Sequence, residues 1–121
     1  MDIYENPALL PHGEATQALE AALQSTDTGH DPNSVLVALG LYDDDRLFVE
    51  RWCRRIVRDS SDLWLVATAS LCLGHVARRF RALEPESIAV VRELVGRTDL
   101  DGRVRDALED VTFFLADSPE R

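Results

Sequence analysis

The sequence holds only two cysteines, Cys53 and Cys72, and neither belongs to a CxxC pair or to a Cys/His spacing suited to a metal. Structural zinc is therefore not expected. Each thiol sits in an apolar helical stretch and reads as a reduced core residue. Long apolar runs are lacking as well. The longest, Leu63 to Leu73, is broken by Thr68 and Ser70 and reaches about half of the roughly 20 residues that a membrane helix needs. Basic charge is scarce, since 13 arginines and no lysine face 22 acidic residues for a net charge of -9. A field of that sign repels phosphates, which argues against nucleic acid and toward a basic protein partner. Met1 to Pro11 lacks the basic start and apolar run of a secretory signal. The expectation is a cytoplasmic protein that engages neither membrane nor nucleic acid.

What is present suits one folded unit. With 121 residues, 45% of them apolar and 29% charged, the chain is long enough to bury a core without metals or disulfides. A single domain over 1–121 is expected, with an N-terminal extension at 1–12 and a solvated tail at 116–121. Apolar residues recur at helical spacing from about Glu14 to Gln24. Asp31-Pro32 then supplies an N-cap followed by proline at the first helical position, opening a helix that ends in the turn Asp43-Asp44-Asp45. From Arg46 to Arg58, apolar pairs alternate with Glu50, Arg51, Arg54, Arg55 and Arg58, so Glu50 is assigned to the exposed face, four residues before Arg54. Ser60-Ser61-Asp62 caps a helix over Leu63 to Phe80 that is apolar nearly all round and belongs in the middle. Glu84-Pro85 begins a fifth helix to about Val95, and the last runs from about Asp101 to Leu115.

These helices repeat. Val35, Ala38, Leu39 and Tyr42 share a template with Ala69, Cys72, Leu73 and Val76, and again with Val104, Ala107, Leu108 and Val111. The intervening helices also align, Trp52-Cys53 and Ile56-Val57 with Val90-Val91 and Leu94-Val95. A two-helix unit recurring every 34 to 35 residues predicts a stacked array, because each hairpin has an apolar face that only its neighbour can cover. The fold expected is all-α, a short right-handed α-solenoid of about six helices in roughly two and a half hairpin repeats.

On these residues the chain resembles a known family. Asp62 through Val76, with Ala69, the Leu73-Gly74 pair and Val76, is similar to the first helix of a HEAT-like repeat of the bilin-lyase type, and Leu39-Gly40 echoes it. The resemblance covers about Asp31 to Phe114. It departs from the family pattern where Leu65-Val66 stands in place of an arginine after the leading valine, and where Glu109 replaces glycine in the third unit. It implies a protein-binding scaffold before it implies an active site.

The enzymatic relatives leave little imprint. The iron-dependent hydroxylases of this class use His-Glu dipeptides, whereas His12, His30 and His75 precede Gly13, Asp31 and Val76. A glycosylase needs aromatics in a basic groove, and Trp52 and Trp64 read as core. Two and a half repeats offer little room for a tetrapyrrole. Ser60 and Ser61 read as helix caps rather than nucleophiles, and His75 as a packed histidine without an acidic partner. Glu109-Asp110 and Asp99 with Asp101 match no calcium loop. No catalytic residue, metal or cofactor is expected.

The surface remains. In an antiparallel hairpin stack the carboxyl ends of the second, fourth and sixth helices emerge on one edge, gathering Asp43, Asp44, Asp45, Glu84, Glu86 and Asp117 along a rim. Such a rim would steer a basic partner in a salt-dependent way. The expected function is a non-catalytic protein-binding module, in its sharpest form an immunity protein that caps a basic toxin. The alternatives are an adaptor or assembly subunit, marked by exposed Trp64 or Phe113, and an enzyme with a hidden site near His75.

Overall fold

Asp31, Asp45, Asp62 and Asp101 each turn a side-chain oxygen onto backbone N–H groups two or three residues ahead, and each opens a helix. The computed structural model describes residues 7–27 and 29–116. Within them lie α1 (His12–Leu23), α2 (Pro32–Tyr42), α3 (Arg46–Asp59), α4 (Leu63–Phe80), α5 (Pro85–Val95) and α6 (Arg103–Ala116). No strand occurs among the described residues. None of these helices is long and apolar enough to cross a membrane.

The expected boundaries hold closely, with one informative shift at the start. His12, assigned to an extension, is the first residue of α1, and the Ala15 N–H donates to Pro11 O at 2.9 Å. Tertiary contacts favour the longer helix. The His12 ring stacks on Phe48 at 3.7 Å and its Nε2 lies 2.8 Å from Asp43 Oδ2.

The helix that is apolar nearly all round, α4, is also the central one, as the sequence predicts. α4 packs against α2 on one side, α6 on the other and α3 beneath, and α5 lies against α3 and α6. Leu65, Ala69, Leu73 and Val76 of α4 are buried with Leu39 of α2 and Ile56 of α3. Full burial of a side chain such as Leu73 is worth about 1.5–3 kcal/mol. α1 adds Ala15, Ala18 and Leu19 to the same core.

Two glycines let the row α2, α4, α6 close up. A Cβ on Gly40 would lie 2.8 Å from Cys72 Sγ and 3.3 Å from the Cys72 backbone, and one on Gly74 would lie 3.3 Å from Ala107 Cα. The two close approaches are related by the same step of 34 to 35 positions (74 − 40, 107 − 72). The hydrogen bonds that tie one helix to another span separations around it. Asn33, Thr68 and Arg103 form a ladder in which the Thr68 hydroxyl meets Asn33 Oδ1 at 2.7 Å and receives Arg103 at 3.0 Å. Across the described residues such bonds span from 30 positions, Arg54 to Glu84, to 39, Arg79 to Gly40.

Several sequence assignments need correction. Glu50 is fully buried instead of exposed. Tyr42, placed on the apolar stripe of α2, is 43% exposed, because it ends its helix. Trp52 is in the core, but Trp64 is 53% exposed. The Asn33–Thr68–Arg103 ladder sets Thr68, the sixth residue of α4, beside the first turns of α2 and α6, so the turn bearing Leu63 and Trp64 projects beyond its neighbours. Leu108 and Phe114 are half-buried, lying on the last helix of the row.

Candidate interaction surface

The residues expected to form an acidic rim divide into distinct roles. Asp43 is buried: Oδ2 pairs with His12, Oδ1 accepts the Asp45 N–H at 2.8 Å, and its carbonyl accepts Arg79 at 2.9 Å. Asp44 is fully open to solvent, with one oxygen 3.2 Å from Arg79. Asp45 is exposed and caps α3. Glu84 starts α5 and pairs with Arg54 at 2.9 Å, and Glu86 is exposed in the first turn of α5. Asp117 lies outside the described residues, as does the tail from 117 onward. The solvent-facing acids of this edge are thus Asp44, Asp45 and Glu86, with Arg79 among them.

Arg79, in the last turn of α4, does more than complement the negative end of the helix dipole. Its guanidinium bonds the Gly40 and Asp43 carbonyls, closing the otherwise unpaired end of α2. Behind this edge Glu50 binds Arg46, lies 3.8 Å from Arg54 and accepts the Glu84 N–H at 2.8 Å. A buried carboxylate needs such company, and here it fixes α3 to the start of α5.

The opposite edge carries the exposed Trp64, its ring covered by the Arg103 guanidinium at 4.2 Å. Arg103 also pairs with Asp101, whose carboxyl is held below its ordinary value by hydrogen bonds from the Arg103 side chain and backbone. Leu63 beside Trp64 is 41% exposed. On α6, Phe113 is 64% exposed and packs edge-on against Phe114, which also meets Arg78 and Arg81.

The remaining chemical groups are inward-facing. Cys53 and Cys72 are both buried and free. A hydrogen bond with Cys72, reinforced by burial, pushes the Cys53 thiol well above its ordinary value, which disfavours the reactive thiolate. His75 Nδ1 is buried without a hydrogen-bond partner. Burial lowers its pKa, Arg78 lowers it further, and Asp110 opposes them. Among the described residues no three His, Cys, Asp or Glu side chains group as a metal site.

Two open grooves complete the surface. One, of about 520 Å³, runs between α3 and α5 over Val57, Val90 and Leu94, with Arg58 and Glu93 at its rim. The other, of about 510 Å³, lies between α5 and α6 over Ile88, Val111 and Leu115, with Arg92 at its edge. No family model matches this chain, and no curated protein or solved structure matches it either.

Proposed function

We propose that this chain is a short, right-handed HEAT-like α-solenoid that works in the cytoplasm by binding another protein rather than by catalysis. The observation that carries this reading is the narrow range of the interhelical bonds, 30 to 39 positions among the described residues, together with the matched close approaches at Gly40 and Gly74. Bonds of one repeat length are the mark of a stack in which each hairpin meets only its neighbours, and such stacks present broad surfaces to partners.

In its specific form the proposal is an immunity-type inhibitor of a basic toxin domain. The net charge of -9 and the open acids Asp44, Asp45 and Glu86 support it. The test looks for a gene encoding a cationic toxin domain next to that of this chain and titrates the chain with its product at low and high salt; absence of such a neighbour would defeat this specific form. The expected result is one-to-one binding that weakens with salt and falls about tenfold in D44N/D45N/E86Q, as loss of steering and rim charge requires. Unchanged affinity in the triple variant would defeat the rim.

An adaptor reading is favoured by one specific observation, the exposure of Trp64 and Phe113. Aromatic residues of this kind anchor protein interfaces. If W64A/F113A abolishes association while the triple acid variant does not, the chain docks through its aromatic surfaces.

A further inference from the structure

The groove between α5 and α6 has an occupied counterpart inside the same molecule. Val49, Cys53 and Ile56 of α3 correspond to Ser87, Val91 and Leu94 of α5, each 38 positions further on, and all six are buried. In that register Arg54 corresponds to Arg92 (54 + 38). On the other wall Val76 and Phe80 of α4 correspond to Val111 and Leu115 of α6, each 35 positions on.

The earlier hairpin shows what its groove accepts. Arg54 reaches over the first turn of α5, donating to Glu84 Oε1 at 2.9 Å and to Ser87 Oγ at 2.8 Å. The occupant there is a helix start with an acidic residue at the N-cap, whose N–H is accepted by Glu50; the same register puts Ile88 at the position of Glu50, so the Arg54 contact alone has a counterpart in the last hairpin. In the last hairpin Arg92 is exposed and makes no hydrogen bond or ion pair with the described residues. It borders an apolar floor of Ile88, Val111 and Leu115.

We propose that this groove receives the first turn of a helix from a partner protein, with an acidic N-cap residue held by Arg92.

A second copy of the chain stacking as a further hairpin fits less well. Continuing the row α2, α4, α6 requires a close backbone approach, which Gly40 and Gly74 permit. The next position in that series, Glu109 (74 + 35), carries an exposed charged side chain. It holds a fourth helix of the row away while leaving the α5 side open, so a single helix start fits where a whole hairpin does not. The proposal rests on the protein-binding reading but not on the acidic rim, and its charge preference is the reverse.

The test titrates the full 15N-labelled chain with a peptide copying residues 82–95, held helical by a lactam joining an Ala89→Lys side chain to Glu93. Amide shifts are expected to saturate at Ile88, Ala89, Arg92, Val111 and Thr112. Glu84→Gln in the peptide and Arg92→Gln in the chain should each weaken binding about fivefold or more, the scale of one charge-assisted hydrogen bond. Arg105→Gln, on the exposed face of α6, should leave it unchanged. The assignment is overturned by absence of saturable shifts at millimolar peptide, by shifts that map elsewhere, or by an unaffected Arg92→Gln chain. It is also overturned if sedimentation shows a concentration-dependent dimer that Arg92→Gln dissolves. Salt-sensitive capture of a basic partner through Asp44, Asp45 and Glu86 would survive any of these failures.

Discussion

Glu50 Oε1 accepts the backbone N–H of Glu84 at 2.8 Å from a side chain with no solvent exposure. One carboxylate therefore joins the middle of α3 to the N-cap of α5, with Arg46 and Arg54 supplying its compensating charge. Glu50→Ala should cost about 3 kcal/mol, since it leaves the Glu84 N–H and two arginines without their buried acceptor. Glu50→Gln should recover part of that loss. Urea unfolding of the two variants checks both; equal stability to the parent chain would mean that the cluster contributes nothing net.

The glycines offer a contrast in sign. Gly40→Ala forces a Cβ to within 2.8 Å of Cys72 Sγ in a filled core and should destabilise by about 1–2 kcal/mol, overpacking outweighing the gain in helix propensity. At Gly96, the C-cap of α5, the nearest atom to an added Cβ is the Glu93 carbonyl oxygen at 3.5 Å and φ is -75°. Gly96→Ala should be neutral or stabilising by up to about 0.5 kcal/mol. The ordering of the two unfolding midpoints is the measurement.

His75 links stability to pH. Its folded pKa is lowered by burial and by Arg78, so the unfolded chain takes up this proton first as pH falls. The resulting stability is full above the unfolded value of about 6.5 and is lost as pH drops toward the folded value. His75→Gln should remove that component, making the decline in stability below about pH 6.5 shallower than in the parent chain. Parallel slopes in urea midpoints measured across this range would contradict the assignment.

The two tryptophans should separate spectroscopically. Trp52 is 7% exposed and Trp64 53%. A W64F variant should keep blue-shifted emission that acrylamide quenches poorly, and W52F should emit to the red and quench readily. W64F should also retain nearly full stability, because the Arg103 stacking over an exposed ring is worth only about 0.5–1 kcal/mol and a phenyl ring keeps part of it.

Much of the fold was legible because helix starts and the apolar period are local signals. Asp31, Asp45 and Asp62 sit where capping chemistry puts them, and α4 is central because its residues are apolar on every side. The burial of Glu50 is not legible in the sequence, because the pattern of α3 places it among arginines and only the arrival of Glu84 from 34 positions away explains it. The exposure of Trp64 is hidden from the sequence for a similar reason: the stagger behind it is a relation between α4 and both neighbours, set by Asn33 and Arg103. The rim was legible as composition but not as accessibility, since the pairing of Asp43 with His12 joins residues that no local motif connects. The alignment of α5 with α3 already set Arg92 opposite Arg54, but only the bonds made by Arg54 give that match a meaning.

The Thr68 hydroxyl, which touches both Asn33 and Arg103, makes two of the interhelical bonds whose longest reach among the described residues is the 39 positions from Gly40 to Arg79. For a chain leaving the ribosome, each such bond finds its second half soon after its first has been synthesised. Assembly can therefore advance in step with translation, one hairpin at a time, without an early segment waiting on the far terminus.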